Sequence, residues 1–260
     1  MSQRVALVTG AGSATGIGFA VARALAGAGL AVAVCSTTER IHDRARDLEL
    51  QGAQAAGFEG DLTDAATAHS VVEAARTRFG PIDVLVNNAG MVTVSDPEVE
   101  EPSFVELPAA DWERSLARNL STAFHVTQSA LPDMRSRGWG RVVMVSSVTG
   151  PLVTNPRSAG YSAAKAGMDG LMRAIAIEVA SAGITVNSVA PGWIATGSQT
   201  PEEAVAGRHT PVGRSGTPEE IAAVVVFLAS DGASYLTGQS IAVDGGNTIQ
   251  EYKGPPDGYY

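Results

Sequence analysis

Apolar residues fall along this chain in two rhythms. Short strand-like runs, most of them poor in charged residues, occupy 5–9, 30–35, 58–62, 82–86, 142–145, 185–189 and 240–243. Runs this brief, rich in valine and bounded by glycine, asparagine or serine, predict strands buried on both faces. Between them apolar residues recur every three or four positions, which predicts helices over 16–28, 40–54, 65–79, 112–137, 161–181 and 219–230. Pro218 precedes the last of these, at a position where a missing N–H leaves no bond unmade. Residues 91–108 are acidic and broken by prolines and read as loop, and 196–217 read as loop or short helices. Alternation of this kind predicts an α/β protein with a doubly wound, mostly parallel seven-stranded sheet and helices on both faces. Residues 1–250 are expected to form one domain, and 251–260, rich in glycine, proline and tyrosine, a separate tail.

Composition narrows the function more than the fold. A chain of 260 residues can bury a large core. The net charge of −9 argues against nucleic acid or an anionic membrane surface as a partner. The single cysteine, Cys35, excludes an intramolecular disulfide and a cysteine-rich zinc site, and reads as a small core side chain. No metal site is expected. No apolar stretch approaches the ~20 residues of a membrane span, and no charged-then-apolar leader precedes the first strand. The expectation is a soluble, cytoplasmic protein.

In a parallel sheet covered on both faces, the loops after the strands open on one edge, and ligands bind there. Gly10, Gly12, Ser13, Gly16, Ile17 and Gly18 join the first strand to the first helix. Glycines at such a turn let the backbone approach a pyrophosphate, whose charge then meets the free N–H groups of a helix N-terminus. At the second strand end, Ser36 and Thr37 stand where a carboxylate would bind a free ribose 2′-hydroxyl. With Arg40 close by, they accommodate a 2′-phosphate, so NADP(H) is preferred to NAD(H), although the acidic Glu39 lies between. Asp61 and Leu62 follow the third strand and face the adenine. Asn88, Ala89 and Gly90 follow the fourth, where the central ribose of a dinucleotide would lie.

The segment 141–178 carries the reacting groups. A strand ends in Ser146 and Ser147, and the next helix opens on Tyr161 with Lys165 one turn on. Lys165 is one of two lysines in the chain, the other being Lys253, against sixteen arginines. A phenol ionises near pH ~10, too high for acid–base work near neutrality. A neighbouring ammonium favours the tyrosinate and is expected to move it toward the working range. Ser147 can donate to the same substrate oxygen. Asn119, a poor helix former inside a predicted helix, is expected to face the cleft and help return protons to Lys165. This chemistry suits hydride transfer to or from a carbonyl carbon.

These motifs resemble those of the classical short-chain dehydrogenase/reductase family, in its 3-oxoacyl-[acyl-carrier-protein] reductase-like branch. The resemblance runs from Arg4 to about Gly246 and rests on Gly10 with Gly16-Ile17-Gly18, Asp61, Asn87-Asn88-Ala89-Gly90, Asn119, Ser147, Tyr161 with Lys165, Pro191-Gly192 and Asp244-Gly245-Gly246. It implies a single-domain Rossmann fold and a catalytic tetrad of Asn119, Ser147, Tyr161 and Lys165. It also implies coenzyme contacts from Tyr161, Lys165, Pro191, Gly192, Ile194 and Thr196, and a homotetramer of 222 symmetry. The implied reaction interconverts a ketone and a secondary alcohol, the alternatives being an NAD-linked dehydrogenase of a sugar, polyol or other alcohol and a non-catalytic dinucleotide sensor or scaffold.

Four departures from the family pattern stand out. The glycine loop is two residues longer, and Thr15 occupies a position often held by arginine. The interval from Ser147 to Tyr161 is one residue longer, so its loop must bulge to bring the hydroxyls together. Residues 91–111 are expanded and acidic, with Glu98, Glu100 and Glu101 set against an acidic carrier protein. The segment after Thr196 leaves room for little helix. An accessible pocket walled by Met91, Leu152, Val153 and Trp193 is expected, suited to a hydrophobic or bulky ketone or alcohol.

Overall fold

The computed structural model describes residues 3–90, 102–251 and 253–254. The expectations placed on Met91, Glu98, Glu100, Glu101 and most of the tail lie outside the described residues. Seven strands form one sheet in the order β3-β2-β1-β4-β5-β6-β7, every neighbouring pair parallel. They are β1 (Val5–Thr9), β2 (Ala31–Ser36), β3 (Ala55–Glu59), β4 (Val84–Asn87), β5 (Gly140–Val145), β6 (Ile184–Pro191) and β7 (Ser240–Val243). The architecture is the single-domain Rossmann fold that the alternation predicted.

Helices α1 (Ile17–Gly27), α2 (Arg40–Leu50) and α8 (Pro218–Ala229) cover one face, burying Leu25, Ile41 and Val225 against Val8, Val34 and Val189. Helices α3 (Ala65–Phe79), α5 (Thr122–Arg137) and α6 (Ala159–Val179) cover the other, burying Val72, Val126, Met168 and Met172 against Leu7, Leu85 and Met144. The central strands are apolar on both sides because each side meets a helix layer. Beyond β1 the chain runs outward to β3 and then returns to β4. The crevice between β1 and β4 is therefore the switch point at which such sheets take ligands.

Two elements differ from the sequence expectation, and a third, read as loop or short helices, takes the second form. β3 begins at Ala55, three residues before the run at 58–62, because small side chains build it. A methyl at Gly57 would stand 2.7 Å from the Ile41 carbonyl, so α2 lies almost on the strand backbone and large apolar residues are excluded. The helix expected over 112–137 is two helices, α4 (Ala109–Leu116) and α5, joined by a π-helical turn, Ala117–Ser121. Within 196–217 a two-turn helix α7 (Pro201–Arg208) forms. The Thr200 hydroxyl accepts from the Glu203 N–H, and the Glu203 carboxylate accepts from the Thr200 N–H. This capping box offsets the short length. Among the described residues no helix is long and apolar enough to cross a membrane.

Candidate active site

The glycine turn after β1 is held from beneath. The Thr9 hydroxyl accepts from the N–H groups of Asn88 and Ala89, both at 3.0 Å, and so ties the end of β4 to the end of β1. Asn88 Nδ2 donates to the carbonyls of Thr9 and Gly10, at 3.1 and 3.0 Å, so this side chain braces the turn. Gly10 adopts φ +67°, and a methyl there would stand 2.9 Å from Asn88 Nδ2. At Gly18 it would stand 2.5 Å from the same atom. A methyl at Gly12 would stand 2.9 Å from the Ser36 hydroxyl and 4.0 Å from Arg40 Nη2. The turn is thus a backbone cradle with a hydroxyl and a guanidinium on its outer side, a donor set that fits a phosphate-bearing dinucleotide. Arg40 Nε donates to the Thr38 hydroxyl, and Glu39 is exposed. Asp61 accepts from the N–H and hydroxyl of Thr63, while the cap of α3 is Asp64. Leu62 is buried, and its carbonyl lies 3.1 Å from His125 Nδ1.

The longer glycine loop reaches across the cleft. A methyl at Gly197 would stand 2.5 Å from the Thr15 hydroxyl, which sets the loop against the segment after β6. That segment is fixed by pairing of Ile194 with Gly216 and by the Gly192 N–H donating to the Val243 carbonyl at 3.1 Å. The side chain of Thr196 contacts that of Ser198 at 3.0 Å.

Ser147 is held rigidly. The N–H groups of Ser146 and Val148 donate to the carbonyls of Val189 and Pro191, at 2.8 and 3.0 Å, continuing the β5–β6 ladder past the strand end. The extra residue before Tyr161 is taken up in a tight knot, where the Leu152 and Val153 N–H groups both donate to the Val148 carbonyl. Ser147 then lies within hydrogen-bonding reach of the half-buried Tyr161 hydroxyl. Because the Ser147 oxygen accepts from the Thr149 N–H at 3.0 Å, its own proton is left to donate. Lys165 is 3 % exposed, and its Nζ donates to the Val145 carbonyl at 2.9 Å and lies 5.6 Å from the Tyr161 ring centre. The π turn swings Asn119 inward to 4 % exposure. A methyl at Gly90 would stand 2.8 Å from Asn119 Oδ1 and 3.6 Å from Lys165 Nζ, so both groups converge on this glycine. Gly90 therefore serves two neighbours at once, a role its position after β4 did not reveal.

Residues 10–248 match the family described as Enoyl-(Acyl carrier protein) reductase. The chain belongs to the short-chain dehydrogenase/reductase family. It is 40 % identical over 251 residues to the cis-4-hydroxycyclohexanecarboxylate dehydrogenase of Sinomonas cyclohexanicum, covering 95 % of this chain and 97 % of that one. It is 38 % identical over 247 residues to the 3-oxoacyl-[acyl-carrier-protein] reductase FabG of Escherichia coli, covering 94 % and 96 %. Its backbone matches an actinorhodin polyketide ketoreductase crystallised with NADPH at a TM-score of 0.87 and 35 % identity, covering 96 % of this chain and all of that one. The enzyme is an NAD(P)-dependent oxidoreductase that interconverts a ketone and a secondary alcohol.

Burial decides the electrostatics of the enzyme's cleft. It pushes the Tyr161 phenol above its ordinary value, against a downward pull from the Ser147 hydroxyl and with a further rise from the Glu203 carboxylate on α7. The net shift of the phenol is upward, opposite to the lowering expected from the Tyr161–Lys165 spacing, because desolvation is the largest effect on it. Lys165 is itself pushed down to about 8 by burial, opposed by Asp169. The cleft thus brings together a neutral phenol and the Ser147 hydroxyl. The Cys35 thiol, pushed up to about 12 by burial, stays inert in the core, as its apolar run predicted.

Proposed function

We propose that the enzyme is a ketone reductase that prefers NADPH, with Tyr161 as proton donor, Ser147 as the second donor to the carbonyl oxygen, and Lys165 and Asn119 as the route by which the proton is restored. The juxtaposition of the Ser147 and Tyr161 hydroxyls above a buried Lys165 carries this reading. When bound, the nicotinamide supplies hydride to the carbonyl carbon. As that carbon is reduced, its oxygen gains charge, which Ser147 stabilises by donation and Tyr161 neutralises with its proton. The tyrosinate left behind lies near the Lys165 ammonium, which favours it. Asn119 sits at Gly90 beside Lys165 and can orient the group that refills the proton.

Gly10, Gly12, Ser13, Gly16, Ile17 and Gly18 would hold the pyrophosphate, with Asn88 bracing the turn. Ser36, Thr37 and Arg40 would hold a 2′-phosphate, Asp61 and Leu62 the adenine, Ala89 and Gly90 the central ribose. Pro191, Gly192, Ile194 and Thr196 would flank the nicotinamide. The closeness of Arg40 to Ser36 across Gly12 supports the phosphate-bearing coenzyme. Leu152, 58 % exposed on the knot beside Ser147, supports a hydrophobic or bulky substrate. The proposed assembly is a cytoplasmic homotetramer. An edge strand β7 with alternate residues exposed, and exposed apolar Phe227 and Tyr235 near it, support burial of that face between copies.

Assay of a panel of ketones and alcohols with both coenzymes tests the reading. Turnover of bulky ketones with NADPH is expected, and Tyr161→Phe should lower it on the order of 10²–10⁴-fold while coenzyme affinity persists. Undiminished turnover in that variant would overturn the assignment.

A further inference from the structure

We propose that Asp169 is a positioning residue of this active site, a buried carboxylate whose charge holds Lys165 as an ammonium beneath Tyr161. Tyr161, Lys165 and Asp169 follow one another at intervals of four along α6 and so share one face of the helix. Lys165 and Asp169 are each only 3 % exposed. Asp169 Oδ1 has no hydrogen-bond donor among the described residues. A carboxylate buried in that condition is costly unless a cation stands near it. Lys165 is the cation whose charge Asp169 sustains.

Among the described residues, no other group on the elements packed against α6 takes this task. The elements packed against α6 are α4, the π turn, α5, β5 and β6. β5 offers Lys165 the neutral Val145 carbonyl, its one charged residue, Arg141, donating instead to the Gly140, Gly183 and Ser230 carbonyls, while the π turn offers the neutral amide of Asn119 and β6 the uncharged Ser188 on the same side as Val186. Asp111 and Arg114 on α4 pair with each other, and neither they, Glu113, nor Arg118 of the π turn acts on Lys165. His125 on α5 faces the Leu62 carbonyl, Asp133 pairs with Arg76, Arg137 with Asp83, and Arg135 stands in the last turn of α5. Glu203 on α7 acts on Tyr161. Burial drives the Lys165 ammonium down, Asp169 opposes it, and the two together leave it at about 8. Without Asp169, Lys165 would lose its proton at a lower pH and cease to favour the tyrosinate.

The proposal rests on Tyr161 as proton donor for its functional half, but its electrostatic half can be measured without turnover. The chain has two lysines, Lys165 and the exposed Lys253. In Lys253→Arg protein labelled with ¹³C at lysine Cε, the single remaining resonance reports Lys165 directly. Asp169→Asn should lower its titration midpoint by about one unit, roughly tenfold in proton affinity. The alkaline limb of kcat/KM for ketone reduction should fall in step, and Asp169→Glu should restore both. An unmoved midpoint would overturn the pairing, and a moved midpoint with an unmoved rate profile would overturn the functional half. Should Asp169→Asn fail to fold alone, Lys165→Met and Lys165→Met/Asp169→Asn provide a second test. Removing the stranded carboxylate should raise Tm in the Lys165→Met background, and a fall there would sink the proposal.

Discussion

At Tyr161 the needs of a proton donor and of a base pull in opposite directions, and burial settles them toward the donor. A phenol held above its ordinary value stays protonated through neutral pH, the state that reduction requires. Ketone reduction should therefore be at its full rate at neutral pH and decline as pH rises. Alcohol oxidation, which needs the tyrosinate, should climb across the same range, as pH profiles of kcat/KM in both directions would check. Ser147→Ala removes one of the two donors proposed for the developing oxyanion and should lower kcat on the order of 10²-fold with little change in coenzyme affinity. Lys165 carries a stability signature of the opposite kind to a salt-bridged lysine. Between about 8 and its unfolded value of 10.5, the unfolded chain binds more protons than the folded one. Its contribution to stability is thus lowest below that window and rises with pH across it, a slope that should vanish from the Tm–pH curve in Lys165→Met.

At the scale of elements, the π turn decides where Asn119 points. In a regular helix from Trp112 onward, the extra residue of Ala117–Ser121 would be absorbed and the amide would rotate off the cleft. Capping explains the helices around the pocket. α8 begins with Thr217 and Glu220 bonded reciprocally, and Arg214 holds the Glu220 carboxyl down at about 2. Thr217→Ala should cost about 1 kcal/mol, seen as a lower urea midpoint at unchanged slope. The same box at Thr200 secures only α7, whose Glu203 acts on Tyr161. Thr200→Ala should therefore raise KM for the ketone while leaving the urea midpoint nearly unmoved.

Across the whole molecule, the sheet order gathers residues far apart in sequence onto one edge. Thr9, Asn88, Ser147 and Pro191 end four adjacent strands, β1, β4, β5 and β6, and their hydrogen bonds run between those ends. Coenzyme choice belongs to this scale, because Ser36 on β2 and Arg40 on α2 both border Gly12 of the loop that follows β1. Ser36→Asp should place a carboxylate facing the ribose and reverse the proposed NADPH preference toward NADH, read as the relative thermal shift with each coenzyme. A larger shift with NADH in the unaltered enzyme would refute the NADPH preference.

The strand–helix alternation, the glycine turn and the Tyr161–Lys165 spacing were legible in the sequence because each depends on neighbours a few residues away. β3 was misplaced because Ala55, Ala56 and Gly57 carry little apolar signal, their smallness being set by the approach of α2. The π turn was likewise hidden, being stabilised by packing around Asn119, whereas α7 realises one of the two forms read for 196–217, fixed by its capping box. Charge states lay furthest from the sequence. A tyrosine and a lysine four residues apart read as a cation lowering a phenol. Only the folded chain decides how much water each group loses, and desolvation, which depends on every layer above and below, is the largest effect on both.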